Sequence, residues 1–396
     1  MSGNLIAGKK KILITCPRGI AAVLGNELKL LDFPVLSVTE TAVTGEGTLA
    51  DAMLLNLYLR TGHRVLLLLR EFRARDAGEL YREMSGVPWE ECVDKGGYIC
   101  ITSSVENPAV RDARYANVRC KDAIVDRMRE KTGARPDSGA DRGMLVFFLH
   151  WRADKAAIYL DTSGFPLCRR GYRKIPLEAP MQETLAAAVL MSAGWTGEGN
   201  FINPMCGSGT LAIEAALIGL GRAPGLLRNN YSFMHLKGHD AALWKRLRGE
   251  ALKCGGKSMP GRIIATDIRP EAVGAARKNA ATAGVGHLIE FGVCDYASTE
   301  VPMGGGIVVL NPEYGDRMGK MKELESVYSG IGDYFKQKCR GYRGFIFTGN
   351  PGLAKKVGLR ASKRTVFFNG GIECRLIEYE LYEGSRKYAG ENAGRQ

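Results

Sequence analysis

Short runs of consecutive apolar residues alternate along this chain with longer stretches whose apolar positions recur every three or four residues. The first kind predicts buried strands and the second predicts amphipathic helices. Near the start, KILIT reads as a strand, RGIAAVLGNELKLL as a helix and VLSVTET as a strand. LADAMLLNLYLR follows as a helix and HRVLLLLREFRA as a strand. Within the latter, Val65 to Leu69 is the longest purely aliphatic run; it is far too short to span a bilayer and reads as buried. Then come YICITSSV, a helix over Ala116 to Lys131, GMLVFFLHW and KAAIYLDTSG. That helix is apolar at Val118, Ala123, Ile124, Val125 and Met128, and its other positions carry Arg119, Lys121, Arg127, Arg129 and Lys131. Such basic positions suit either a face that tracks phosphates or an ordinary solvated face.

Around Cys168 the pattern breaks. CRRGYRKIPLEAP is basic, interrupted by two prolines, and reads as a linker. Beyond it the alternation is strict. ETLAAAVLMSAGW, GTLAIEAALIGLG, PEAVGAARKNAATAG and KELESVYSGIGDYFKQK are helices. FINP, GRIIATDI, LIEFGVCD, GIVVLNP and GFIFTGN are strands, and RTVFFNGGIECRLIEYEL is two strands around Asn-Gly-Gly. Alternation ending in a hairpin predicts an α/β fold with an open, mostly parallel sheet closed by an antiparallel edge.

Composition narrows the possibilities. Lys and Arg outnumber Asp and Glu, 55 to 42, for a net charge of +13. A polyanionic partner, most simply nucleic acid, accounts for this; so does general solubility. The ten cysteines contain no CxxC pair, which argues against a zinc site and for reduced, buried thiols in a cytoplasmic protein. MSGNLIAGKKKILIT lacks the apolar core of a signal peptide. His235 and His239 in HLKGH have metal-binding spacing only on a helix; Gly238 lies between them and no third ligand is evident, so no metal is expected.

Three strand ends carry chemistry. NPMCGSGT, Asn203 to Thr210, lies between a strand and a helix, where Gly207 and Gly209 would let backbone approach a ligand. Asp267 ends the next strand, suited to ribose hydroxyls, and Asp295 ends the third, suited to an adenine amino group. The loop has no Lys for phosphates and is shorter than GxGxxG, so S-adenosylmethionine fits better than a dinucleotide. The fourth strand ends in NPEYG. There the Asn311 side-chain oxygen and the Pro312 carbonyl can accept the two N–H bonds of a planar amine, and Tyr314 can stack on its base.

YANVRCKDAIVDRMRE, LDTSGFPLCRRGYR, APMQETLAAAVLMSAGW, NPMCGSGTLAIEAALIGLGRAPGL, GHDAALW and NPEYGDRMG together resemble the THUMP-containing class I RNA methyltransferases. Within these they resemble the bacterial 23S rRNA guanine-N2 methyltransferases, over about residues 10 to 382. The resemblance implies a ferredoxin-like segment (1–60), a THUMP RNA-binding domain (61–165), a linker (166–180), a Rossmann-like methyltransferase domain (181–382) and a disordered tail (383–396). It implies S-adenosylmethionine as methyl donor, a guanine N2 in 23S rRNA as acceptor, RNA as partner, and no membrane. A tRNA guanine-N2 methyltransferase and a catalytically dead RNA-binding assembly factor are the alternatives. DNA adenine-N6 methylation shares the Asn-Pro-x-aromatic chemistry, and the match to an RNA-binding domain points away from it. The implied cofactor set is Thr184, Asn203, Met205, Cys206, Gly207, Gly209, Thr210, Asp267, Ile268, Asp295 and Tyr296; the implied catalytic set is Asn311, Pro312 and Tyr314. Two positions depart from the family pattern: Asn203 stands where Asp is usual, and Glu313 where a second proline is usual. Some relatives carry a second methyltransferase domain that makes a different modification; the resemblance covers one, so that second modification is not expected.

Overall fold

A computed structural model describes residues 5–175, 177, 181–314 and 321–382. The polypeptide forms two compact units. One holds the residues up to Pro17, Leu24–Arg169 and Ala223–Lys253; the other holds Arg18–Val23, Arg170–Arg222 and the chain from Cys254 onward.

In chain order, the elements up to Asp161 are β1 (Lys10–Thr15), α1 (Ala21–Leu30), β2 (Val35–Val38), β3 (Ala42–Gly47), α2 (Leu49–Tyr58) and β4 (Arg64–Arg73). They continue as α3 (Ala77–Ser85), β5 (Tyr98–Glu106), α4 (Ala113–Thr132), β6 (Asp137–Ser138), β7 (Leu145–Arg152) and β8 (Lys155–Asp161). The strands form one sheet in the order β2-β3-β1-β4-β8-β7-β5-β6. β4 is the seam, pairing antiparallel with β1 on one side and with β8 on the other. The stretches before and after residue 60 therefore share a sheet. Val65, Leu66 and Leu67 are wholly buried, as the aliphatic run requires.

Asp112 caps the start of α4 by accepting from the Arg114 amide, and Gly133 at φ 70 ends it. Its buried stripe is Ala116, Cys120, Ala123, Ile124, Val125 and Met128. Val118, expected in that stripe, is 48% exposed: it lies two residues from both Ala116 and Cys120, on the far side of the turn. Most of the basic positions pair with neighbouring carboxylates. Arg127 pairs with Glu90 at 2.6 Å, Arg129 with Asp126 at 3.3 Å and Lys121 with Asp122 at 2.6 Å, while Arg119 lies over the Tyr81 ring.

The main run of the second unit starts at Arg170, which with Tyr172 is buried inside the stretch that reads as a linker. Arg170 Nε donates to Glu214 at 3.2 Å and the Tyr172 hydroxyl donates to the same carboxylate at 3.1 Å. Then follow α5 (Glu183–Ser192), β9 (Asn200–Pro204) and α6 (Thr210–Gly219), which carries Glu214. The chain next supplies Ala223–Lys253 to the first unit, including most of α7 (Ala241–Cys254). There Ser232 Oγ accepts from Val146 N at 2.8 Å, Arg228 donates to the Ser163 carbonyl at 3.0 Å, and Tyr231, Phe233 and Trp244 pack ring against ring.

Back in the second unit come β10 (Ile263–Asp267), α8 (Pro270–Thr282), β11 (Ile289–Val293), β12 (Gly306–Leu310), α9 (Met321–Lys338), β13 (Tyr342–Thr348), α10 (Pro351–Lys356), β14 (Lys363–Asn369) and β15 (Ile372–Glu380). The sheet order is β11-β10-β9-β12-β13-β15-β14. The first five strands are parallel, and β15 joins β13 and β14 antiparallel, which is the open sheet with an antiparallel edge that the sequence pattern predicts. α9 buries Leu324, Tyr328, Ile331 and Phe335, a stripe at helical spacing, beneath Val308, Leu310 and Ile346. No helix among the described residues is long and apolar enough to cross a membrane. The expected tail, 383–396, lies outside the described residues, as do Pro176, Glu178, Ala179 and Pro180 of the expected linker.

Candidate active site

The direction of winding reverses between β9 and β12, so a crevice opens at the carboxyl ends of these two strands. Asn203 stands at that parting. The last backbone pair is Ile202 with Val308; one residue further, Asn203 Nδ2 donates to the Val309 carbonyl at 2.9 Å. Asn203 is wholly buried, and its Oδ1 has no hydrogen-bond partner. An aspartate there could not donate to that carbonyl.

The glycine loop follows. Met205 takes φ 58 and Gly207 φ 54, and Gly209 at φ 83 precedes α6, whose first residue, Thr210, is buried. A non-glycine residue at positive φ is strained, and the two residues after Met205 are bonded to β10. Cys206 N donates to the Thr266 carbonyl at 2.8 Å, and Gly207 N donates to Asp267 Oδ2 at 2.9 Å. The two glycines differ in what they face. A Cβ on Gly207 would meet nothing within 4 Å, whereas one on Gly209 would lie 2.9 Å from Ala276 Cβ on α8. Gly207 presents open backbone, whereas Gly209 lets α6 pack close to α8. The Cys206 thiol is pushed by burial up to about 12, so it is neutral at pH 7.

Asp267 is buried, and its Oδ1 also accepts from Arg269 N at 3.1 Å. Ile268 beside it is 65% exposed, an apolar surface at a strand end. Asp295 is exposed and accepts from Ala297 N at 2.9 Å, capping the turn after β11. Tyr296 turns the other way: its hydroxyl donates to the Val327 carbonyl at 3.4 Å and its ring meets Tyr334 edge-on, both on α9.

β12 delivers the fourth end. Asn311 Oδ1 is buried without a hydrogen-bond partner, Pro312 is buried and Glu313 is exposed. Tyr328 on α9 donates to the Glu313 carbonyl at 3.4 Å and bonds Thr348 at 2.7 Å. Tyr314 is half-buried; its hydroxyl accepts from Asn369 Nδ2 at 2.9 Å, and burial pushes its phenol up to about 12. Gly315 lies outside the described residues. On α5, Thr184 Oγ1 is likewise buried and without a partner.

Three expected site residues, Thr184, Asn203 and Asn311, thus carry buried oxygens without partners. Such atoms cost about 1–3 kcal/mol each unless something satisfies them. The residues fit a polar nucleoside ligand beside the open backbone of Gly207. Sequence reading missed Asn279. It is wholly buried on α8, donates to the Ser208 carbonyl at 3.1 Å, and accepts from Lys174 N at 2.9 Å and Ile175 N at 3.2 Å. The available signal was a lone amide among buried alanines.

Three family descriptions match in chain order: an RlmL ferredoxin-like domain over residues 11–66, a THUMP domain over 74–161, and an RMKL-like methyltransferase domain over 170–378. The ribosomal RNA large subunit methyltransferase K/L of Syntrophotalea carbinolica is 38% identical over 384 residues, which is 94% of this chain and 54% of that protein. The chain therefore spans about half the length of that relative. A putative RNA methyltransferase of Synechocystis is 34% identical over 368 residues, 93% of this chain and 96% of its own. The solved structure of SMU.472, a putative methyltransferase complexed with SAH, is 26% identical with a TM-score of 0.87, over 96% of this chain and 100% of that one.

Proposed function

This chain belongs to the RMKL-like methyltransferases that carry RlmL ferredoxin-like and THUMP domains, and from that premise we propose that it methylates the exocyclic N2 of a guanine in 23S rRNA. S-adenosylmethionine supplies an activated methyl group. Thr184, Asn203, Gly207, Asp267, Ile268 and Asp295 hold it, while Met205, Cys206, Gly209 and Thr210 shape the loop and Tyr296 braces the wall on α9. Asn311 Oδ1 and the Pro312 carbonyl accept the two N–H bonds of the amine, and Tyr314 stacks on the base. Held this way, the nitrogen is closer to tetrahedral and its lone pair points at the methyl carbon. As the nitrogen–carbon bond forms, the carbon–sulfur bond breaks with its electron pair retained by sulfur, and one proton leaves the amine for solvent.

The observation that carries this reading is Asn311: a buried oxygen without a partner at the end of β12, across the crevice from the open glycine loop. The test is methylation of deproteinised 23S rRNA with labelled donor, followed by mass spectrometry of nucleosides. N2-methylguanosine is the expected product. Asn311→Ala should lower turnover by about a hundredfold or more, the usual effect of removing one aligned hydrogen-bonding group. Its affinity for S-adenosylhomocysteine should stay near wild type. Methylation of tRNA alone, or methyl transfer to another base, would overturn the substrate assignment. Cofactor binding without any turnover would favour the assembly-factor alternative.

A further inference from the structure

Tyr314 is tied to the far end of its own sheet. Its hydroxyl accepts from Asn369 Nδ2 at 2.9 Å, and the Cys374 thiol lies at 3.6 Å from the same oxygen. Asn369 ends β14 and Cys374 lies on β15. Their register, Asn369 with Ile372 and Phe367 with Cys374, puts both side chains on one face of the hairpin. The ring itself lies over Gly349 at the end of β13, where a Cβ would come within 2.8 Å of the ring carbons. The hydroxyl is thus pinned from one side and the ring supported from another.

Asn369 is not needed for the turn. It pairs with Ile372 as a strand residue, and Gly370 at φ 62 makes the left-handed corner. An asparagine before Gly-Gly in sequence reads as turn chemistry; here its amide reaches a phenol 55 residues away. Flipping the amide would keep the bond, with the phenol then donating.

We infer that Asn369 is a positioning residue: the terminal hairpin, through its amide and with Gly349 beneath, sets the orientation of the Tyr314 ring against the target base. The inference rests on the proposed stacking role of Tyr314. It gives the antiparallel edge a part in the reaction beyond closing the sheet.

The test uses the full chain, 23S rRNA and labelled S-adenosylmethionine. Asn369→Leu, similar in size but unable to bond, should lower kcat/KM for RNA at least tenfold, with affinity for S-adenosylhomocysteine within twofold of wild type. Asn369→Asp, which can accept from the phenol, should stay within threefold of wild type. Gly349→Ala should mimic Asn369→Leu by displacing the ring. In a Tyr314→Phe background the effect of Asn369→Leu should fall below threefold, because no hydroxyl remains to hold. An undiminished effect there, or wild-type kcat/KM in Asn369→Leu, overturns the inference. If Tyr314→Ala is impaired while Asn369→Leu is not, only the inference fails; if Tyr314→Ala is itself fully active, the stacking role fails and the inference with it. A second readout needs no RNA. In protein labelled with 3-fluorotyrosine, the fluorine resonance of Tyr314, assigned by its loss in Tyr314→Phe, should shift in Asn369→Leu. An unchanged resonance overturns the tether.

Discussion

At Gly207 and Gly209 the same residue type answers two demands. Both take positive φ, but only Gly209 has a neighbour, Ala276 Cβ, where its own Cβ would be. Gly209→Ala therefore combines strain with overlap against α8, which should lower stability by about 1–3 kcal/mol. Gly207→Ala meets nothing and should keep the melting temperature within a few degrees. Its new methyl group projects into the space offered to the ligand, so affinity for S-adenosylhomocysteine should fall tenfold or more. Calorimetry and thermal melts on both variants check this; equal losses of stability would refute the distinction. At this scale the sequence was partly legible. The loop, Asp267 and NPEY were visible as strand-end chemistry, because strand ends are marked by the switch from apolar runs to Gly, Asp and Pro. What each residue faces was not, since this depends on α8 and the hairpin, which are distant in sequence.

Among elements, those built from unbroken apolar runs were read directly: β4, β10, β12 and β13 are buried strands in both readings. β3 gave no signal because its glycines mimic a turn. A Cβ at Gly45 would lie 2.3 Å from the Phe33 ring and from the Pro34 carbonyl, so packing alone demands glycine in that strand. The brief helices α3 and α10 were missed, and so was α7, whose buried face packs within a unit other than that of its sequence neighbours. α8 shows how an element serves the site without touching the reaction. Its Asn279 joins the Ser208 carbonyl of the glycine loop to the amides of residues 174 and 175. Asn279→Ala should leave those groups unpaired, lower stability by about 1–3 kcal/mol, and weaken cofactor affinity by loosening the loop. Asn279→Asp, which keeps the two amide contacts and loses both bonds donated by Nδ2, to the Ser208 and Ile175 carbonyls, should fall between wild type and alanine in thermal melts. An aspartate as stable as wild type would mean that these two donated bonds contribute nothing.

For the whole molecule, chain order and folding unit do not coincide. The sequence suggests one cut, near residue 170, with an RNA-binding part before it and a catalytic part after it. Ala223–Lys253 breaks that division, because it folds with the first unit. Without it, the Val146 amide loses the Ser232 hydroxyl, the Ser163 carbonyl loses Arg228, and the Asn56 carbonyl loses the Tyr231 hydroxyl. Tyr231 and Phe233, now 1% and 0% exposed, would no longer cover their neighbours. Fully burying a side chain of that size contributes about 1.5–3 kcal/mol, and each lost hydrogen bond about 0.5–1.5 kcal/mol. The sum is a large share of the 5–15 kcal/mol typical of a domain. A fragment ending at Arg169 should therefore lack a cooperative thermal transition by circular dichroism. Fusing residues 223–253 to its end through a flexible linker should restore one, with Ser232→Ala in the fused segment lowering the midpoint. A fragment of residues 1–169 that melts as sharply, and at the same temperature, with and without the fused segment would show that the segment is an ornament of the first unit and not part of it.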